Sequence, residues 1–321
     1  MSTIPLTPRL EGTRRLRDRL GDRLLLGLTS LAALVAIAIM VAIAYKVVRG
    51  ADLSFSTFGL GFLTGTTWNT TKGVFGAGTL LFGTAITSLI ALLVGGPLAI
   101  AIALFLSELA PRGVRGVVGA LVEMLAAIPS VVLGLWAILV LGPFVARHLE
   151  PGLHRWFGFL PIFGESSTGS DVFVAGLILA IMIVPIVASI CRELFLSIPR
   201  ELEEGALALG ATRWETVRGV VLSGSRPGIA AALILGLGRA LGEAIAVTQV
   251  IGSATAIHVS FFQPGDTLAS RIAAQFQGAF SKLQTSSLFY LAAILLVIGL
   301  VTNLVALLIV RRFETQRSGV A

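Results

Sequence analysis

The sequence predicts an all-α integral membrane protein with six transmembrane helices. Three observations carry that prediction: the scarcity of charge, the length of the uncharged runs, and the placement of Lys and Arg. Hydrophobic residues make up 55% of the 321 residues and charged residues only 13%, with a mean hydropathy of +0.93. A water-soluble domain carries about 25% charged residues, because its surface must be solvated. A chain with half that share has lipid for its solvent. The formal charge of +7 does not point to nucleic acid, since no basic run is interleaved with aromatics and the cations sit at the ends of apolar segments. Cys191 is the single cysteine, which excludes an internal disulfide, and no Cys/His spacing suggests a metal. His148, His154 and His258 are scattered and read as ordinary loop or interfacial residues.

A span needs about 20 apolar residues to cross about 30 Å of hydrocarbon. The first charge-free run is Leu24 to Tyr45, 22 residues. Its length exceeds the apolar core of a cleaved leader, so residues 24–48 read as a retained anchor helix after a basic stretch at 1–23. Between Lys72 and Glu108 lie 35 uncharged residues; their Gly- and Thr-rich start reads as interface and the helix as running near Thr79 to Leu106. Glu123 to Arg147 encloses the third run, with Glu123 and Pro129 opening it. Asp171 to Arg192 encloses the fourth, in which Pro185 predicts a kink. Pro227 to Gly265 holds the fifth, interrupted by Arg239 and Glu243 near its middle. Lys282 to Arg311 encloses the sixth. The five spans after the anchor thus fall within 75–313, with a short tail at 314–321. The connections at 49–77, 142–170 and 252–282 are too short to bury cores of their own.

Orientation follows from the cations. With the N-terminus inside, the inner side carries Arg9, Arg14, Arg15, Arg17, Arg19, Arg23, Arg112, Arg115, Arg192, Arg200, Arg213, Arg218, Arg226, Arg311, Arg312 and Arg317. The outer side carries Lys46, Arg49, Lys72, Arg147, Arg155, Arg271 and Lys282. Sixteen against seven puts both termini in the cytoplasm of a plasma-membrane protein.

The inner connection at 192–226 is the most informative segment. Ser197 and Pro199 form a helix start signal, followed by Glu201, Glu203 and Glu204 near the positive end of the helix dipole. Gly210 breaks that helix. Thr212 with Glu215 spells a capping box that opens a second helix towards Leu222. By composition alone this is a solvated helix–turn–helix connector. Its residue order says more. Glu204-Gly205-Ala206, then Gly210, then Val220 and Leu222, resembles the loop signature of ABC importer permeases: E-A-A, three residues, G, nine residues, I, one residue, L-P. The spacing is intact from Glu204 to Leu222, while Gly205 stands where Ala is usual and Ser223 where Pro is usual. The resemblance implies a coupling helix that docks on a separate ATPase. No G-x-x-x-x-G-K-[ST] occurs in the chain, so it has no phosphate-cradling loop of its own.

Arg239 and Glu243 are i,i+4 neighbours and can share one helix face. Each costs about 2.5–3.5 kcal/mol to insert, and charges inside a membrane mark a pathway by default. One reading is a structural pair that lets the helix insert. Against it, a buried ion pair is often no more stabilising than apolar residues of its size. The other reading is a guanidinium offering paired hydrogen bonds to a tetrahedral oxyanion. Gly238 and Gly242 form G-x-x-x-G, a site for close approach of another helix.

The run Gly236-Leu237-Gly238-Arg239-Ala240-Leu241-Gly242-Glu243, followed by Ala246-Val247-Thr248 and Val250-Ile251-Gly252, resembles the fifth span of the phosphate-specific ABC importer permeases, C type. Ala127-Ile128-Pro129-Ser130-Val131-Val132 and Ser270-Arg271-Ile272 match as well; Ala244 departs, standing where Thr is frequent. The resemblance implies the type I (MetI-like) importer fold and inward movement of inorganic phosphate by alternating access. It implies Arg239 and Glu243 in the substrate pathway. It implies as partners a homologous A-type permease subunit, an ATPase dimer and an extracytoplasmic phosphate-binding protein. The chain itself would be no enzyme and hold no cofactor, ATP and Mg being held by the ATPase. Two alternatives stay open: a permease for another oxyanion, and a secondary transporter using Glu243 for proton coupling.

Overall fold

A computed structural model describes residues 11–165 and 168–318. Arg9, the start of the basic stretch and the last three residues of the tail lie outside the described residues. Among the described residues six helices are long and apolar enough to cross a membrane, and no strand is present.

The chain divides into two compact units, residues 1–49 and 50–321. The first holds nearly all of helix α1, Glu11–Gly50. Its apolar part starts at Gly21, and Leu24, Leu28, Leu31, Ile39 and Ile43 are exposed, as befits a helix whose solvent is hydrocarbon.

The second unit is built from α2 (Gly78–Leu109), α3 (Arg112–Ala127), α4 (Ser130–Phe157) and α5 (Val172–Leu196). There follow α6 (Arg200–Ala208), α7 (Arg213–Leu241), α8 (Ile245–Val250), α9 (Leu268–Gln275) and α10 (Lys282–Ser318). Helix α5 is the most enclosed of the spans. It starts where Asp171 Oδ1 accepts the Val174 N–H at 2.8 Å, satisfying a donor that has no partner inside the helix. Helix α2 packs along it, Gly95 lying against Ala180 and Ile183, and Ile90 lying over Gly176. Lipid is as apolar as Leu, so association rests on contact between close-packed surfaces, which small residues permit.

Three expectations are corrected. The third span starts at Ser130, not at Glu123. Glu123 belongs to the separate helix α3, and Ile128 is extended (φ −70°, ψ 125°), because the ring of Pro129 disfavours helical backbone in the residue before it. Beyond the break the helix runs past Arg147 to Phe157, so the first half of the 142–170 connection is helical. Second, the fifth span does not start at Pro227. One helix runs from the capping box at Thr212 through Leu222, Ser223 and Pro227 to Leu241, with a π-helical turn at Val217–Leu222 taking up the irregularity. Third, that helix stops at Leu241, so Arg239 and Glu243 lie at its end and not mid-helix. Pro185 sits inside an unbroken α5.

The connection at 49–77 folds into two short helices, Asp52–Phe58 and Gly61–Thr64. They bury Phe62, Trp68 and Phe75 against Leu288, Tyr290 and Leu291 of α10. The Phe62 and Tyr290 rings stack with centroids 4.4 Å apart. As expected of so short a segment, its core is borrowed from a span.

Candidate functional site

The connection between α5 and α7 has the helix–turn–helix form that its residues dictate. Ser197 Oγ donates to Leu194 O at 2.7 Å, closing α5, so of the two start signals only Pro199 opens α6. Glu204, Gly205 and Ala206 lie on α6, which buries no side chain. The helix ends in a Schellman turn: the Gly210 N–H donates to Leu207 O and the Ala211 N–H to Ala206 O, at 3.0 and 3.1 Å. Gly210 has φ +90°, a conformation that costs an L side chain about 1–2 kcal/mol. The capping box then opens α7: Thr212 Oγ1 accepts the Glu215 N–H at 3.3 Å, and Glu215 Oε2 accepts the Thr212 N–H at 2.7 Å. Leu222, expected as the end of the second loop helix, is half-buried within the continuous α7 and packs beside Val221.

The loop leaves Leu209 92% and Trp214 64% exposed, although both are large and apolar. Between α6 and the end of α2, Glu108, Glu203 and Arg213 line a groove of about 230 Å³. Burial first, and then the neighbouring Glu108 carboxylate, push the Glu203 carboxyl above its usual range.

The charged pair lies where the backbone is broken. Helix α7 ends at Leu241, Gly242 closes it, and Ile245 starts α8. Glu243 sits in that break, 5% exposed, and Oε1 accepts the Ala246 N–H at 3.3 Å, capping the short helix. Its Oε2 lies 3.4 Å from Arg239 Nη2, and the Arg239 side chain is 49% exposed. Tight charge-assisted bonds of this type are about 2.7–2.9 Å, so the guanidinium is only loosely engaged and keeps N–H groups directed elsewhere.

Helix α8 is held from two further sides. Thr248 Oγ1 lies 3.1 Å from Ser270 Oγ on α9. Gly134 of α4 meets it so closely that a Cβ there would lie 2.8 Å from Ala246 Cα. Two discontinuous helices therefore meet: α4, which begins after the break at Pro129, and α8, which follows the break at Glu243. Broken spans of this kind build ion and substrate sites in transporters, since the freed backbone must line protein or a cavity. Gly238 and Gly242, expected at a helix contact, face open space within this chain. Apart from the adjoining backbone of its own helix, no atom of the described residues lies within 4 Å of a Cβ at Gly238, and Gly242 meets the Gly238 carbonyl at 3.6 Å.

A second ion pair escaped the sequence reading. Arg271, counted above as an outer-loop cation, is buried with Asp266: Nη2 lies 2.5 Å from Oδ2, and the side chains are 6% and 1% exposed. The guanidinium also donates to Ser253 O at 3.4 Å and lies over the Trp68 ring, 5.9 Å from its centroid. Burial pushes the Asp266 carboxyl up, against the opposing pull of Arg271. The pair ties the connections at 49–77 and 252–282 together beside α9. The only signal in the sequence is two opposite charges five residues apart, a spacing that no helix face explains.

A family model described as binding-protein-dependent transport system inner membrane component matches residues 95–315. Among curated proteins, the phosphate transport system permease protein PstC of Pasteurella multocida is 41% identical over 95% of this chain and 96% of its own length. The protein of the same name from Mesorhizobium japonicum is 39% identical over 94% and 93%. Among solved structures, a bacterial alginate ABC transporter in complex with alginate pentasaccharide-bound periplasmic protein contains a chain with TM-score 0.59 and 23% identity, covering 92% of this chain and 98% of that one. That likeness is one of fold.

Proposed function

This chain belongs to the family of binding-protein-dependent transport system inner membrane components, and from that premise we propose that it is a permease subunit of an ATP-driven importer of inorganic phosphate. Near-full-length identity to proteins named as phosphate permeases is the observation that carries the substrate. The chain is a multi-pass membrane protein, not an enzyme. It supplies the pathway, and a partner ATPase that binds ATP and Mg supplies the energy. Helix α6 and its turn dock on that ATPase dimer, which would cover the exposed Leu209 and Trp214. A homologous A-type permease subunit closes the pathway and packs against the open Gly238/Gly242 face. An extracytoplasmic phosphate-binding protein delivers the anion.

Arg239 is the group that meets phosphate in this reading. It is half-exposed, loosely paired, and anchored at one end by a buried Glu243 that is itself fixed by capping α8. The arrangement offers N–H donors to an oxyanion without leaving a carboxylate unpaired. Alternating access would move α7 and α8 relative to α4, the two broken helices providing the joint.

Proteoliposomes holding the whole complex test the proposal. Labelled phosphate should accumulate only with ATP on the loop side and loaded binding protein on the other, and sulfate should not compete. Uptake that persists without ATP when a proton gradient is imposed would assign the chain to proton-coupled transport instead.

The surplus of arginines on the loop side supports a cytoplasmic position for both termini. In a Cys191→Ser background, a cysteine at exposed Thr168 should react with an impermeant thiol reagent in intact cells, and one at exposed Thr212 should react only after the membrane is opened. Equal labelling of both in intact cells would overturn that topology.

A further inference from the structure

We propose that a cavity under the coupling loop is a binding site for an anionic phospholipid of the cytoplasmic leaflet. The cavity holds about 520 Å³ between the end of α5, the start of α6 and the foot of α7, walled by Leu194, Ile198, Leu202, Val220 and Pro227. That volume falls in the range of about 300–1,000 Å³ typical of small-molecule sites, and so does the pattern of apolar walls with few polar groups. Two hydroxyls line it, Ser197, whose Oγ already donates to Leu194 O, and Ser225, which is 4% exposed. Among the described residues the Ser225 Oγ has no hydrogen-bond partner. A buried hydroxyl without a partner costs about 1–3 kcal/mol, so an acceptor is wanted from outside the chain.

Depth and charge decide what supplies it. Helix α5 runs from Val172 to Leu196, about 37 Å at the helical rise, against about 30 Å of hydrocarbon. Its final turn, with Leu194, therefore reaches the level of lipid glycerol and ester groups. An acyl chain suits the apolar walls, and an ester carbonyl at that level accepts from Ser225. Arg226, the next residue, is exposed and stands at the height of the headgroup, where a negative charge is favoured. A soluble metabolite would find one unengaged hydroxyl, that of Ser225, among aliphatic and proline side chains, too few free polar partners for recognition. The leaflet follows from the orientation proposed above, whereas the lipid itself does not depend on the transported substrate.

The site lies where α6 meets α7, so its occupant would set how firmly the docking helix is tied to the fifth span. The full-length protein, purified in detergent and incorporated into nanodiscs of equal phosphatidylglycerol and phosphatidylcholine, tests this by native mass spectrometry after re-extraction. The wild type should retain phosphatidylglycerol in preference to phosphatidylcholine. Ser225→Ala should lower retention about fivefold, the effect of one neutral hydrogen bond. Leu202→Trp fills the cavity from a residue that is 56% exposed. It should fold normally and abolish retention. Equal retention of the two lipids by the wild type, or retention unchanged in Leu202→Trp, would overturn the proposal.

Discussion

Replacing Gly210 by proline should leave the chain in the membrane but remove most of the stimulation of ATP hydrolysis by loaded binding protein. Gly210 has φ +90°, and proline is locked near −65°. Proline also lacks the N–H that donates to Leu207 O. The turn cannot form with that residue, and the orientation of α6 relative to α7 is lost with it. A proline that loses its hydrogen bond costs about 3 kcal/mol, enough to depopulate the docking geometry about a hundredfold. The effect should be local, because α6 buries no side chain and the open space around Gly210 leaves no core to disturb. Gly210→Asn is the graded control, since asparagine tolerates left-handed backbone; it should keep much of the stimulation. Stimulation unchanged in the proline variant would reduce the loop to a connector.

The double substitution Arg239→Gln with Glu243→Gln should assemble, keep its ATPase, and lose most phosphate uptake, by about 10–100-fold if one or two hydrogen bonds to a charged ligand are lost. Assembly is expected because both charges go together, so neither is left buried and unpaired. The glutamine introduced in place of Glu243 also retains a carbonyl oxygen to accept the Ala246 N–H, preserving the cap on α8. The single variants should differ from each other. Arg239→Gln strands a carboxylate that is 5% exposed, whereas Glu243→Gln leaves a guanidinium that is half-exposed. The first should therefore reduce the amount of folded protein and the second should not. Arg239→Lys should transport poorly, because a point charge replaces the planar fork. Near-normal uptake in the double variant would leave the pair as a structural feature and sink its substrate role.

Most of the architecture was readable in one dimension because lipid restricts what a backbone can do. Every N–H and C=O in hydrocarbon must be satisfied within its own helix, so uncharged runs of sufficient length are spans, and all six were found. Local chemistry was equally legible. Pro199, Gly210 and the Thr212–Glu215 box each act through their own backbone and nearest neighbours, and the loop between α5 and α7 folds as they dictate.

Boundaries that depend on a neighbour were not legible. The break at Gly242–Ala244 carries no proline, and a helix-permitting run gives no reason to stop. It becomes a break because Glu243 turns back to cap α8 and because Gly134 lets α4 cross closely at Ala246. The burial of Arg271 depends on Asp266, Ser253 and Trp68, the last of them some two hundred positions away in the chain. Composition, span number, charge asymmetry and the turn at Gly210 were set by the amino-acid sequence alone, since each is a property of a residue, its nearest neighbours and its solvent. Which charges are buried, which helices are broken and where the two breaks meet were decided only by tertiary packing, because the partners that offset the cost of burying a charge come from distant segments.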